Sequence, residues 1–109
     1  MKCIAADSLE FTEPKPGVFI KDFEGDRVRL RMYYLPEGMD WSAVHSVPEE
    51  TVCYVLNGEM IYRGVDMAEP AHLLKGMFYV VSANEAHSAM ATKGTLVLAA
   101  QDILPPRQR

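Results

Sequence analysis

Three histidines, His45, His72 and His87, offer the most distinctive chemistry in this chain of 109 residues. Imidazole is the commonest protein ligand for transition metals and a frequent acid or base near neutral pH. A divalent metal needs three or four donor atoms that converge on one point, so the histidines would need further ligands. Glu49 and Glu50 lie close to His45 and offer carboxylates, although two acids after a proline are also typical of a solvated turn. A metal site and a metal-free polar pocket both remain open.

The residues that follow His45 fall on alternate positions of one predicted strand. Side chains two residues apart on a strand face the same side of the sheet. On an unbroken strand, one face would therefore carry His45, Val47, Thr51 and Cys53. Pro48 interrupts the run, and a shift of register there would bring the two glutamates into the same pocket. His72 is a further candidate for an inward position, and Cys53 is more typical of a small buried apolar residue than of a nucleophile.

The elements that must position these side chains are almost all predicted strands. Apolar and polar residues alternate with period two along 27–35, and β-branched and aromatic residues dominate several other short runs. The predicted strands cover residues 18–23, 27–35, 42–46, 51–56, 59–63, 77–81, 87–92 and 95–100. Asn57-Gly58 lies between two apolar runs and predicts a tight hairpin turn. Short strands at this even spacing indicate an all-β sandwich or barrel.

The stretch from Gly76 to His87 resembles the second motif of the cupin superfamily. That motif runs Gly, five residues, Pro-x-Gly, two residues, His, three residues and Asn. Gly76 and His87 have this spacing, while Ser82 replaces the proline and Asn84 replaces the second glycine. Asn is the best substitute for Gly in a left-handed turn. The final Asn of the motif has no match, because Ala91 and Thr92 stand there.

The first cupin motif is only partly matched. It runs Gly, a short spacer, His-x-His, three or four residues, Glu or Gln, six residues and Gly. When the last glycine is aligned with Gly58, the acidic position falls on Thr51 and the two histidine positions fall on His45 and Val47. We place this motif at about 38–58 and the second at about 76–92, within a single cupin domain covering 1–109.

The resemblance implies a jelly-roll β-barrel with one polar pocket. In cupins the two histidines and the acid of the first motif join the histidine of the second motif around one metal. Only His45 and His87 correspond here, so Glu49 and Glu50 are the candidates that would complete a metal site, with zinc, manganese, iron and nickel all open. The predicted pocket also contains Val47, Thr51, Cys53 and His72.

Three functions follow from this interpretation. In the first, a metal held by His45 and His87 acts on a small oxygen-bearing substrate such as a sugar acid or another carboxylate. In the second, the pocket binds a small polar metabolite without metal or catalysis. In the third, the protein is a structural homodimer, a state that the resemblance implies, paired through an apolar N-terminal strand at residues 18–20. Fold alone does not separate these functions, because cupins serve all of them.

Composition restricts the partners and the compartment. The net charge of −4 argues against nucleic acid and against an anionic membrane surface as partners, because both require a basic face. Two cysteines, Cys3 and Cys53, are too few for a disulfide framework and indicate reduced thiols. The first residues are too short and too polar for a signal peptide, so we expect a cytoplasmic protein.

Overall fold

The alternating runs of the sequence form short strands, and one 3₁₀ turn (Ala6–Ser8) precedes them. The computed structural model describes residues 1–103, except for the side chains of residues 40–45. The strands in the described part are β1 (Thr12–Lys15), β2 (Val18–Glu24), β3 (Val28–Leu35), β4 (Asp40–His45), β5 (Thr51–Asn57), β6 (Glu59–Gly64), β7 (Ala71–Leu74), β8 (Phe78–Val81), β9 (His87–Ala91) and β10 (Thr95–Asp102). The all-β prediction is confirmed, and each of the eight predicted strands has an observed counterpart. The eight predicted strands omit β1 and β7.

The strands form two antiparallel sheets that face each other. The first sheet has the order β1-β2-β3-β10-β5-β8, and the second has the order β4-β9-β6-β7. In the first sheet β10 pairs with β3 over its whole length, from Thr95↔Leu35 to Asp102↔Val28. Strand β10 therefore runs through the middle of the larger sheet, although it is the last of the described strands in chain order. Within residues 1–103, no helix is long and apolar enough to cross a membrane.

Gly58 marks a crossing between the two sheets. The prediction of an Asn57-Gly58 hairpin is wrong, because β5 pairs with β10 and β8 while β6 pairs with β7 and β9. Gly58 has φ of +89°, and a Cβ atom on it would lie 2.2 Å from the carbonyl oxygen of Gly94. Glycine is needed here because two backbone segments approach closely where the chain changes sheets.

The larger sheet has an unusual polarity. Along β3, Arg29, Arg31 and Tyr33 are partly buried on the inner side, whereas Val28 and Leu30 are exposed on the outer side. On β10 each second residue from Thr95 to Gln101 is buried. The core between the sheets is completed by Val55, Met60, Leu73, Val97 and Ala99. The interior thus combines an apolar core with inward-facing polar side chains.

Candidate functional site

A cavity of about 360 Å³ lies inside the barrel and is lined by residues of both sheets. Its apolar wall includes Val18, Ile20, Leu35, Met60, Val81 and Val97. Its polar residues are Lys15, Arg31, Thr51, His87 and Gln101, accompanied by Tyr33, Tyr62 and Tyr79. Four residues that the sequence placed in the pocket line this cavity: Val47, Thr51, Cys53 and His87.

His87 begins β9 and is held in place by two neighbours. Its Nδ1 lies 2.8 Å from the backbone oxygen of Glu85. Its ring stacks on that of Tyr62, with centroids 5.0 Å apart and an interplanar angle of 19°. A backbone carbonyl only accepts hydrogen bonds, so Nδ1 carries a proton. The imidazole is therefore fixed in orientation.

Tyr62 connects this cavity to a second one. Both Tyr62 and Tyr79 line the first cavity and also a neighbouring cavity of about 580 Å³. The Tyr62 hydroxyl donates a hydrogen bond to the carboxylate of Glu85, which lines only the second cavity. Burial, and then this hydrogen bond, raise the pKa of the Tyr62 hydroxyl. Tyr62 therefore stays protonated. The Glu85 carboxylate accepts the hydrogen bond from its hydroxyl and lies outside the first cavity.

A chain of hydrogen bonds crosses the inner side of the larger sheet. The Arg29 guanidinium donates to Oε1 of Gln101 at 3.1 and 2.5 Å, and Nε2 of Gln101 donates to Oγ1 of Thr51 at 3.0 Å. The Thr51 hydroxyl in turn donates to the backbone oxygen of Glu49 at 3.3 Å. Each buried polar group in this row therefore has a partner, which buried polar groups require. Thr51 serves as a link in this row.

Arg31 is fixed in the next row by a bidentate pair with Asp22. Nε and Nη2 of Arg31 lie 2.6 and 2.8 Å from the two carboxylate oxygens. The hydrogen bonds from Arg31 lower the pKa of the Asp22 carboxyl, and those same bonds raise the pKa of the guanidinium. The pair uses two of the five N–H donors that a guanidinium carries. Arg31 lines the cavity, whereas Asp22 does not.

Buried Cys53 and half-buried Tyr79 lie in the same row of the larger sheet as Arg31. They are partners across β5 and β8. Burial raises the pKa of the Cys53 thiol to about 11, and burial also raises the pKa of the Tyr79 hydroxyl. Both groups are neutral at pH 7, so the Cys53 sulfur is a weak nucleophile and a weak metal ligand.

The structure does not bring the other predicted site residues into this cavity. Glu49 is half-buried, Glu50 is exposed, and neither lines the cavity. His72 is also exposed, contrary to the expectation of an inward position. The reason is the alternation of β7, which directs Leu73 into the core and its two neighbours outward. The side chain of His45 lies outside the described residues, although the backbone register pairs His45 with His87.

Comparison with known proteins identifies the fold. No family model matches the chain, and no curated protein matches it. Among solved structures, KdgF from Halomonas sp. matches with a TM-score of 0.81 and 15% identity, covering 100% of this chain and 99% of that one. The polyketide cyclase RemF from Streptomyces resistomycificus gives a TM-score of 0.82 and 17% identity, covering 97% and 82% of the two chains. An RmlC-like cupin from Shewanella frigidimarina gives a TM-score of 0.79 and 15% identity, covering 97% and 94%. The chain has the cupin fold.

The turn that resembles the second cupin motif adopts the backbone conformation that the sequence predicted. Asn84 has φ of 62° and is the single non-glycine residue with positive φ in the described part of the chain. Its backbone N–H donates to the oxygen of Val47 at 2.7 Å. The turn that carries His87 is thereby tied to the segment between β4 and β5.

The described side chains of the cavity do not fit a transition metal. His87 is the single imidazole among the described residues that line the cavity, and no Asp or Glu lines it. Cys53 is held as a neutral thiol, and Arg31 adds a positive charge. Within the described residues, no group of three or more His, Cys, Asp or Glu side chains is placed to hold a metal. Cation binding here would lack the anionic donors that usually offset the metal's charge.

Sequence reasoning missed Arg31, Tyr62 and Gln101 as cavity residues. The alternation along 27–35 did group Arg29, Arg31 and Tyr33 on one strand face, and that face is the inner one. A charged residue at every second position of a strand is a signal for a polar interior when the opposite face is apolar. Hydrophobicity alone would have assigned the two faces the other way round.

Proposed function

We propose that this cupin binds a small organic anion with an apolar body in its barrel cavity, and that binding needs no metal. The observation that carries the proposal is the composition of the cavity lining. The described lining residues include two cations, Lys15 and Arg31, and no carboxylate, within a wall that is mostly apolar. Ligand sites commonly combine such a wall with a few fixed polar groups.

The apolar wall alone would give weak binding. A cavity of about 360 Å³ lies near the lower end of the range for small-molecule sites, so the ligand is small. Burying about 200 Å² of apolar ligand surface contributes about 5 kcal/mol. The loss of translational and rotational freedom costs at least about 4 kcal/mol. The polar groups must therefore supply most of the net affinity and the specificity.

Arg31 supports an acidic ligand group because its charge is fixed in direction. Two parallel hydrogen bonds to Asp22 hold the guanidinium in one orientation before the ligand binds. Less side-chain entropy is therefore lost on binding. Asp22 also offsets part of the positive charge of Arg31, so Lys15 is the second cation that would attract the acidic group. A ligand amine would face Lys15 and Arg31 with no carboxylate in the described lining to offset them.

Three ring compounds of one size test the charge preference: benzoate, benzamide and benzylamine. We expect calorimetry to show that wild-type protein binds benzoate about tenfold or more tighter than benzamide, because a charged hydrogen bond contributes about 1.5–3 kcal/mol. Benzylamine should not bind. Equal affinity for all three compounds would contradict the proposal.

A pair of double variants locates the preference. Asp22→Asn with Arg31→Gln removes both charges and leaves two uncharged polar side chains, and the benzoate preference should disappear. The matched control is Glu59→Gln with Lys93→Gln, which removes a second charged pair, whose charged atoms lie 3.9 Å apart. Neither residue lines the cavity, so the control should keep the preference. If both double variants lost the preference for benzoate, the loss would come from general destabilisation of the fold, and the assignment to Arg31 would be wrong.

A metal held by His45 and His87 is the second candidate, and the backbone register that pairs these residues favours it. Metal analysis of protein purified without a histidine tag separates the two candidates. Benzoate binding that persists in chelator-treated, metal-free protein supports the first. A stoichiometric metal that is lost in His87→Ala and is required for binding supports the second, and with it the metal-dependent enzyme.

A further inference from the structure

Two tyrosine rings lie between the barrel cavity and its larger neighbour. Tyr62 and Tyr79 are the two described residues that line both cavities, so their side chains form a wall between the two spaces. Their ring centroids lie 6.2 Å apart, at an interplanar angle of 51°. We call these two side chains the tyrosine wall. The length of a ligand that enters the barrel therefore depends on whether this wall stays in place.

Tyr62 is held at its hydroxyl and at its ring face. The hydroxyl donates a hydrogen bond to Oε2 of Glu85, and Oε1 of Glu85 accepts one from the backbone N–H of Ser82 at 3.3 Å. The ring stacks on that of His87, with centroids 5.0 Å apart. A buried side chain with these contacts loses packing and a hydrogen bond if it turns away, so the wall stays in place.

The wall lies at the opposite end of the cavity from Arg31. One row across the larger sheet runs from Arg31 on β3 through Ala99 and Cys53 to Tyr79 on β8. Residues opposite each other on paired strands share a face, and both Arg31 and Tyr79 line the cavity. Three strand spacings of about 4.8 Å separate the backbones of these two residues by about 14 Å. A ligand whose acid contacts Arg31 therefore extends along this row toward the tyrosine wall.

The second cavity lies beyond the wall, where both sheets end. Strands β7 and β8 are edge strands of the two sheets, and residues of both line this cavity, among them Leu73 and Val80. Its described lining includes two carboxylates, Asp66 and Glu85, and no lysine, arginine or histidine, within a mainly apolar wall. This space would accept an apolar group, whereas it offers no cation to an acidic one.

We propose that the tyrosine wall sets the length of the ligand, and that Tyr62 restricts this protein to acids whose apolar body is about the size of one ring. This inference rests on the proposed function, because it assumes an acid held near Arg31. A longer apolar body would overlap Tyr62 or Tyr79, and closely packed side chains yield little to an added group. Without the Tyr62 ring the two cavities would join, and the far end of a longer acid would lie in the second cavity.

Calorimetry with benzoate and biphenyl-4-carboxylate tests the proposal, because the second compound adds one ring in line with the carboxylate. We expect the wild type to bind benzoate about tenfold or more tighter than the biphenyl acid, a ratio that a closed pocket can reach by size alone. Tyr62→Ala should reverse this order, because the second ring then gains apolar contacts beyond the wall. Benzoate should displace the biphenyl acid from this variant, since both acids use the same cations.

Glu85→Ala is the second variant, because it removes the hydrogen-bond acceptor of Tyr62 and leaves the ring in the core. It should reduce the preference for benzoate over the biphenyl acid. Glu85→Gln should keep that preference, because its amide oxygen still accepts the hydrogen bond. The matched control is Leu73→Ala. Leu73 is 5% exposed and lines only the second cavity, so its truncation costs core packing but leaves the wall intact, and the wild-type preference should remain.

Three outcomes would overturn the inference and leave the proposed function standing. The first is a wild type that prefers benzoate to benzamide but binds the biphenyl acid as tightly as benzoate. The second is a Glu85→Ala variant that keeps the wild-type preference, whether or not Tyr62→Ala folds. The third is a Leu73→Ala variant that loses the preference. A wild type that binds neither acid would overturn the proposed function, and this inference with it.

Discussion

Replacing Gly58 by alanine tests the idea that this glycine allows a close backbone approach where the chain changes sheets. Gly76 provides the comparison, because both residues have φ of +89°. A Cβ atom at Gly76 would meet nothing within 4 Å. Alanine in a left-handed conformation costs about 1–2 kcal/mol at either position. Alanine also reduces the entropy of the unfolded chain to a similar extent at both positions, so that effect cancels in the comparison.

The second cost applies only to Gly58. A Cβ there would lie 2.2 Å from the oxygen of Gly94 and 2.7 Å from Cα of Thr95. These are backbone atoms, so no change of rotamer relieves the overlap. Thr95 starts the central strand β10 and is fully buried, and a shift of that strand costs about 1–3 kcal/mol. We expect Gly76→Ala to lose about 1–2 kcal/mol of unfolding free energy and Gly58→Ala about 2–5 kcal/mol, because the cost of the strand shift adds to the cost of the left-handed conformation.

Urea unfolding monitored by far-ultraviolet circular dichroism measures the two losses. The dependence of unfolding free energy on urea concentration should be the same in both variants, because the surface exposed on unfolding is unchanged. The reasoning would be refuted if the two alanine variants lost the same free energy, since the losses would then come from φ alone. A smaller loss of unfolding free energy in Gly58→Ala than in Gly76→Ala would also refute the idea that Gly58 permits a close backbone approach.

Three further predictions follow from the described side chains. Asn84→Ala should lose about 1 kcal/mol of stability and Asn84→Gly should be close to neutral in urea unfolding, because φ of 62° disfavours alanine; equal losses would contradict this. Arg31 lowers the pKa of Asp22, so the pair's contribution is complete above pH about 4 and is lost as the pH falls further. Asp22→Asn should therefore lose less stability than the wild type between pH 4 and pH 2, and parallel pH profiles would disprove the assignment. A thiol reagent at pH 7 should label Cys3 rapidly and Cys53 only after unfolding, because Cys53 is 4% exposed with a raised pKa; labelling of both thiols at one rate would contradict the burial.

The sequence was informative about strands because alternation is a local property. The runs at 27–35, 51–56 and 95–100 each became a strand, and the spacing from Gly76 to His87 located the turn that presents the histidine. Thr51, Cys53 and His87 were also selected as pocket residues from strand parity and motif spacing, and all three line the cavity. These inferences needed only period two and the conformational preferences of Gly and Asn.

Pairing between distant strands was not accessible from local pattern. Asn57-Gly58 has the composition of a hairpin turn, but its flanking strands find partners far away in the chain, on β10 and β9. The same limit explains Arg31, whose partner Asp22 and whose cavity neighbours come from several strands. His72 shows the complementary error, because one residue of register decides whether a strand side chain faces inward or outward.

The polarity of the larger sheet explains both the polar lining of the cavity and the exposed apolar residues on its outer side. A strand such as β3, with arginines on one side and Val28 and Leu30 on the other, must expose one of the two faces in a monomer. Turning the arginines inward requires a partner for each buried polar group, and Asp22 and Gln101 provide those partners. The same orientation leaves Val28 and Leu30 exposed to water. The polar lining of the cavity and the apolar outer side of the sheet are therefore two consequences of one alternating strand pattern.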